Sequence, residues 1–302
     1  MPLNYLQVIA LAILQGVTEL FPVSSLGHAV VIPGVLLWPI DPKGPGLLPF
    51  LVILHLGTAT ALLVFYWREW VKLLLALLGM GDPAERPAQR RLILMLIVGT
   101  VPAAVVGAVF NKSLKENFAV PSLAAAILVV NGIVLLVGDR RRRLKSAGLD
   151  APEGKPLESL TVWDALIIGV TQAFALLPGI SRSGVTIIAG LARKLSPDAA
   201  AHFSFLLATP IILGAGLFEV PKLLFKINHG HDVADYMTKS LIGGVFAGVF
   251  AYLSVAFLTR YFRVHEVKML RPFAIYCILI GIAAIAIMTT GLNATLFGAP
   301  AG

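Results

Sequence analysis

The sequence predicts an all-α integral membrane protein: an inverted-topology repeat of about six full transmembrane helices plus two re-entrant helical hairpins. Three observations carry that reading. First, 58% of the 302 residues are hydrophobic and 13% charged, with a mean hydropathy of +0.87, whereas soluble domains carry about a quarter charged residues. Second, apolar stretches of the roughly 20 residues needed to cross a bilayer recur along the whole chain, without the two-residue alternation of a β-barrel. Third, "GVTELFPVSS" at 16–25 and "GVTQAFALLPGISRS" at 169–183 resemble each other.

Ten apolar segments run over 3–21, 23–37, 47–67, 92–110, 119–138, 161–177, 184–192, 203–220, 240–258 and 272–291. The first two are parted only by Phe21-Pro22-Val23, and the sixth and seventh by the region around Pro178-Gly179. The seventh is too short to span. Broken backbone inside a bilayer is tolerated only where it lines a protein-enclosed or wet cavity, so both pairs read as re-entrant hairpins. Three full spans then remain in each half. Three is odd, so the second copy is upside down relative to the first. The repeats are 1–146 and 157–302 within a single membrane domain, 1–302. Inverted repeats with broken helices place a polar site where the repeats meet.

The loop charges agree. Of the 24 Lys and Arg, 17 lie in the 67–91, 139–160, 193–198 and 259–271 loops. Six others are Lys43, Lys112, Lys115, Lys222, Lys226 and Lys239, and Arg182 stands in the second hairpin. The basic set falls on one face only when both hairpins are re-entrant and both termini lie outside, with Arg140 to Arg143 as a cytoplasmic anchor. The net charge of +8 therefore reads as basic cytoplasmic loops and not as a nucleic-acid surface. The first apolar stretch lacks a basic leader and an A-x-A-like site, so no cleaved signal is expected. Cys277, the lone cysteine, is expected to pack; no disulfide forms within one chain.

The chemistry concentrates at the two breaks. "LQGVTELFPVSSLGH" supplies Gln15, Thr18 and Glu19, then Ser24, Ser25 and His28. Gln15 and Glu19, four residues apart, share a helix face. A carboxylate near mid-membrane is costly unless paired, metal-bound or protonated. Glu19 is therefore a partner for Arg182 or a working acid, and with Gln15 a candidate oxygen-ligand pair for a divalent cation such as Mg²⁺. His28, beside Glu19 and two serines, is a candidate general acid/base. Ser24 either caps the second helix or joins the site, and Ser25 lies three residues before His28. In "ALLPGISRSGVTII" the permanent cation Arg182 presents a fork of donors suited to phosphate. Ser181, Ser183 and Thr186 add hydroxyls, Gly179 and Gly184 allow close backbone approach, and the following helix points its positive end into the break. Together these favour an anion with several oxygens.

These residues resemble the undecaprenyl-diphosphate phosphatase, or bacitracin-resistance, family. Its first motif is met by Gln15, Gly16, Glu19, Pro22, Val23, Ser24, Ser25, Gly27 and His28, and its second by Pro178, Gly179, Ser181, Arg182, Ser183 and Thr186. The resemblance covers essentially the whole chain. It implies hydrolysis of a C55 isoprenyl diphosphate lipid to the monophosphate, recycling the carrier of peptidoglycan synthesis and conferring bacitracin resistance. It also implies a divalent cation (Mg²⁺ or Ca²⁺), the bacterial cytoplasmic (inner) membrane, a site opening to the periplasmic side, and a homodimer. Glu19, His28 and Arg182 correspond to essential positions and Ser25 to a nucleophile. Ser24, Gly179, Ser181, Ser183 and Thr186 are placed with Arg182 around the diphosphate. Gln15 stands where many relatives have Glu, which weakens metal binding by paired acids. His55 stands where a polar Gln is expected, either lining the cavity or packing. The inverted repeat also keeps open a transporter or flippase of an anionic prenyl phosphate lipid. A histidine-nucleophile lipid phosphatase is rejected, because the position its Ser-Arg-x5-His element requires is Ile188.

Overall fold

The structure, a computed structural model, describes residues 3–40, 46–118, 120–146, 154–227, 233–264 and 269–298. Lys43 and Lys268 lie outside the described residues. Twelve α-helices follow one another within them: α1 (Tyr5–Thr18), α2 (Ser25–Val35), α3 (Leu47–Phe65), α4 (Trp67–Leu77), α5 (Arg86–Phe118), α6 (Pro121–Ser146), α7 (Val162–Ala173), α8 (Arg182–Ala192), α9 (Pro197–Ile227), α10 (Val233–Val264), α11 (Arg271–Thr289) and α12 (Leu292–Phe297). The expected all-α membrane class is what the chain adopts. Five of the helices, α5, α6, α9, α10 and α11, are long and apolar enough to cross a bilayer, and α3 with α4 makes a sixth if that bent pair is counted as one span.

The bend lies where the sequence suggested a third span to residue 67 followed by a basic loop. Instead α3 stops at Phe65 and the chain turns by 81° into α4. This helix buries Leu73 and Ala76 and exposes Trp67, Val71, Leu74 and Leu77. Its apolar positions keep helical spacing, but Arg68, Glu69 and Lys72 dilute the local hydropathy, so the segment resembled a loop. Helices α5, α6, α9 and α10 likewise overrun their apolar segments. Apolarity marks the membrane-embedded part of a helix, while the hydrogen-bond ladder continues through charged sequence.

The two short pairs begin alike. Asn4 and Gln7 form a capping box on α1, and Thr161 and Asp164 form one on α7, each satisfying N–H groups a helix start leaves open. With 14 and 12 residues, α1 and α7 are about 21 and 18 Å long, short of the ~30 Å hydrocarbon core. α2 and α8 have 11 residues each. Arg193 Nε meets Asp164 Oδ1 at 2.5 Å, joining the end of α8 to the start of α7. Tyr236 donates to the Gly46 carbonyl at 2.9 Å and Tyr5 to Asp235 at 3.4 Å, gathering the starts of α1, α3 and α10.

The long helices pack as α6 on α11, α3 on α10 and α9, α1 on α10, and α7 on α5. Gly244 and Gly248 sit against Gly57, where a Cβ would overlap the Gly244 carbonyl oxygen. This small-residue pair thus serves close packing within the chain. Cys277 is fully buried and receives a weak contact from Asn131 Nδ2 at 3.5 Å. Leu94, Ile97, Val101 and Val105 on α5, and Leu241, Val245 and Val249 on α10, form exposed apolar stripes as lipid-facing helices require.

Candidate active site

Each short pair is interrupted by residues that cannot continue a helix. After α1 the chain crosses Pro22, which has no N–H to give, and reaches Ser24 at φ 73°. That left-handed backbone is uncommon outside glycine and costs energy. Ser24 Oγ compensates by accepting from Gly27 N–H at 3.2 Å, capping α2, and from Gly179 N–H, also at 3.2 Å, in the other break. Gly179 itself has φ +109°, and a Cβ there would press on the Ala124 carbonyl at 2.6 Å, so the position admits only glycine comfortably.

The two breaks are tied together. Ser183 Oγ donates to the Phe21 carbonyl at 3.1 Å and shares a hydrogen bond with Ser181 Oγ, which also caps α8 through Gly184 N–H. Asn131, deep in α6, accepts from Ser181 N–H at 2.9 Å and donates to the Pro22 carbonyl at 3.3 Å. Thr186 Oγ1 reaches the Arg182 carbonyl at 2.8 Å and Ser204 Oγ at 2.7 Å. Ser24 and Ser183 thus spend hydroxyls holding the breaks, which answers the unsatisfied backbone that a break creates, while Thr186 ties α8 to α9.

A cavity of about 230 Å³ lies between the breaks. Its polar lining is Glu19, Ser24, Ser25, His55, Gln172, Ser181 and Arg182, with Leu26, Val52 and Ile211 on the apolar side. Glu19 is its centre. Oε2 accepts from Ser25 Oγ at 2.5 Å and from Gln15 Nε2 at 3.1 Å, and His55 Nε2 lies 3.2 Å away. Oε1 meets Arg182 at 3.3 Å. Arg182 also donates to the Ser204 carbonyl at 3.0 Å, while its Nε–H is buried with no protein partner. A hydroxyl hydrogen-bonded to a carboxylate that faces a guanidinium has the make-up of a nucleophile, a base and an anion-stabilising donor set within one cavity.

Of the residues singled out from sequence, the structure brings Glu19, Ser25 and Arg182 together, with Ser24 and Ser181 on the cavity wall. Gln15 lies behind Glu19, while Gly179, Ser183 and Thr186 form the supporting frame. His28 is elsewhere. Its Nδ1 faces the Ser24 carbonyl at 2.6 Å, and its Nε2 the Tyr276 hydroxyl at 2.9 Å, with the two rings stacked. A carbonyl only accepts, so Nδ1 carries the hydrogen and Nε2 accepts from Tyr276. Both nitrogens are thereby used in holding the strained turn at Ser24. Sequence reasoning missed Asn131, Ser204 and Tyr276. Asn131 had a usable signal, an amide inside an apolar helix, which must find partners; Tyr276 had none.

The divalent cation implied at Gln15 and Glu19 needs several oxygen ligands. Here Gln15 turns its amide nitrogen to Glu19, its Oε1 is one neutral oxygen without a protein partner, and both carboxylate oxygens are engaged by donors. Among the described residues no three His, Cys, Asp or Glu side chains gather to hold an ion. As their side chains lie, Gln15 and Glu19 offer fewer free oxygen ligands than a resident divalent ion takes.

Fold and site together define a multi-pass helical membrane protein built around a buried carboxylate, guanidinium and hydroxyl. Residues 8–283 match the family described as bacitracin resistance protein BacA, and the chain belongs to that family. It is 50% identical over 280 residues to an undecaprenyl-diphosphatase of Acidiphilium cryptum (strain JF-5), covering 93% of this chain and 96% of the relative. It is 48% identical over 289 residues to an undecaprenyl-diphosphatase of Granulibacter bethesdensis, covering 94% and 97%. With undecaprenyl-diphosphatase 2 of Chromobacterium violaceum it shares 44% over 283 residues, covering 94% and 98%.

Proposed function

We propose that this chain hydrolyses undecaprenyl diphosphate to the monophosphate and phosphate, recycling the lipid carrier of peptidoglycan synthesis and thereby conferring bacitracin resistance. The observation that carries the mechanism is the 2.5 Å hydrogen bond from Ser25 to Glu19 in the cavity that Arg182 lines. The diphosphate takes the donors of Arg182, including the unpaired Nε–H, and the positive end of α8. Ser25 Oγ attacks the terminal phosphorus as Glu19 takes its proton. The new O–P bond forms while the bridging P–O bond breaks, and the lipid monophosphate leaves with the electron pair. Water then releases phosphate from the serine. His28 acts as a positioning residue through the Ser24 carbonyl. The prenyl tail stays in lipid, alongside the apolar cavity wall at Leu26, Val52 and Ile211. Phosphate release from C55 diphosphate by the purified chain in detergent tests this. Ser25→Ala should lower that rate about 10²-fold, with water at the same place carrying the remainder. An unchanged rate removes the serine nucleophile.

The same proposal includes the finer architecture: α1–α2 and α7–α8 as re-entrant hairpins in inverted repeats 1–146 and 157–302, both termini outside, and the site opening to the periplasm. Matching close approaches support it. A Cβ on Gly16 would overlap the Ala247 carbonyl of α10, and one on Gly169 the Gly99 carbonyl of α5. Gly132 packs on Ala274 and Gly281 on Ala125 in the same reciprocal way. The Asp164–Arg193 pair supports a hairpin that enters and leaves on one face. Single cysteines replacing Asn4 and Arg193 in a Cys277→Ala background should label with a membrane-impermeant maleimide from opposite sides; labelling from one side contradicts the topology.

A further inference from the structure

His55 is the titratable cavity residue that the mechanism leaves unused. It stands on α3 and lines the site, and its ring is fixed at both ends. Nδ1 faces the Leu51 carbonyl at 2.7 Å and Nε2 faces Glu19 Oε2 at 3.2 Å; a carbonyl and a carboxylate only accept, so both nitrogens carry hydrogen and neither has a lone pair to offer a metal. The charged groups facing it are Glu19 from the end of α1 and Arg182 from α8. Glu19 thus has a basic side chain at each oxygen, His55 at Oε2 and Arg182 at Oε1. A divalent ion at this carboxylate would have to displace one of them and lie beside the other.

We infer that His55 closes Glu19 to a resident metal ion, so that a divalent cation reaches this site only as the counter-ion of the diphosphate. The inference rests on the phosphatase reading for its second half and on geometry alone for its first. Its physical content is a competition for lone pairs. Magnesium and related ions ask for about six oxygen ligands. The protein offers one carboxylate whose Oε2 already receives Ser25, Gln15 and His55, plus the neutral Gln15. A diphosphate brings several anionic oxygens of its own. Glu19 is then kept as the acceptor of the Ser25 proton, a role that metal ligation would weaken by drawing off its negative charge.

The probe is Mn²⁺, titrated into the purified full-length chain in detergent without lipid, with free ion read by electron paramagnetic resonance. The wild type and Glu19→Gln should give the same curve, with no stoichiometric uptake that depends on Glu19. His55→Glu and His55→Asp replace the blocking ring with a second carboxylate. At least one of them should take up one equivalent of Mn²⁺, melt at a higher temperature in its presence, and lose both effects on adding Glu19→Gln. Stoichiometric uptake by the wild type that Glu19→Gln abolishes overturns the inference. So does the failure of both acidic variants, folded by gel filtration and melting, to bind Mn²⁺. Phosphate release by the wild type is measured alongside: its absence defeats the phosphatase reading whichever way the titration falls.

Discussion

Replacing Arg182 with alanine is expected to lower phosphate release from C55 diphosphate about 10³-fold, the upper range for loss of one preorganised donor to a developing anion. KM should rise together with the fall in kcat, because the guanidinium meets the diphosphate before as well as during the reaction. The structure adds a stability effect. Arg182 and Glu19 are 11% and 7% exposed, and removing one partner of a buried pair costs about 3 kcal/mol or more by leaving the other charge uncompensated. The variant should therefore melt earlier in detergent. Arg182→Lys separates charge from geometry. Arg182 donates to the Ser204 carbonyl and to Glu19 with different nitrogens, and a lysine cannot span both while keeping a third donor for the anion. It should recover part of the stability and little of the rate. A Lys variant as active as wild type would show that charge alone suffices.

The reason Glu19 and Arg182 were legible in the sequence is energetic. An ionisable group inside an apolar run is expensive, so its presence alone points to a partner or a function. The breaks were legible for the same reason, since Pro22 and Pro178-Gly179 cannot continue a helix. What the hydroxyls do was not legible. Ser183 and Thr186 share a helix turn with Arg182 and looked like phosphate contacts, but their oxygens turn to the Phe21 and Arg182 carbonyls. Side-chain direction depends on which helix packs behind, and no local pattern reports that. The same holds for His28. Its partner Tyr276 is 248 residues away, so the sequence offered Glu19 as the nearest companion, while packing of α2 against α11 offered the tyrosine. Asn131 meets Pro22 across 109 residues. The bend into α4 was missed for a different reason: its charged residues lower hydropathy without interrupting its helix.

Glu19→Gln is the second large effect, also about 10³-fold in kcat, the middle of the range for loss of a general base. KM should not rise and is expected to fall, because the substitution removes a carboxylate that repels the diphosphate. The substitution preserves shape and so isolates the proton. At Glu19, donors meet both oxygens: Arg182 at one, and Ser25 and Gln15 at the other, with His55 Nε2 beside them. An amide has one oxygen and an NH₂. Facing the NH₂ to Arg182 sets donors against a cation. Facing it to Ser25 and Gln15 leaves the serine without an acceptor for its proton. Either orientation removes the base and leaves at least one buried donor unsatisfied, a cost of about 1 to 3 kcal/mol. The variant should accordingly be slow and less stable, while Arg182 still binds the substrate. Glu19→Asp keeps the charge but draws the carboxylate back by one methylene, so it should retain the stability better than the rate. A Glu19→Gln chain that releases phosphate at the wild-type rate would leave Ser25 activated by some other group, and the 2.5 Å contact would then be structural.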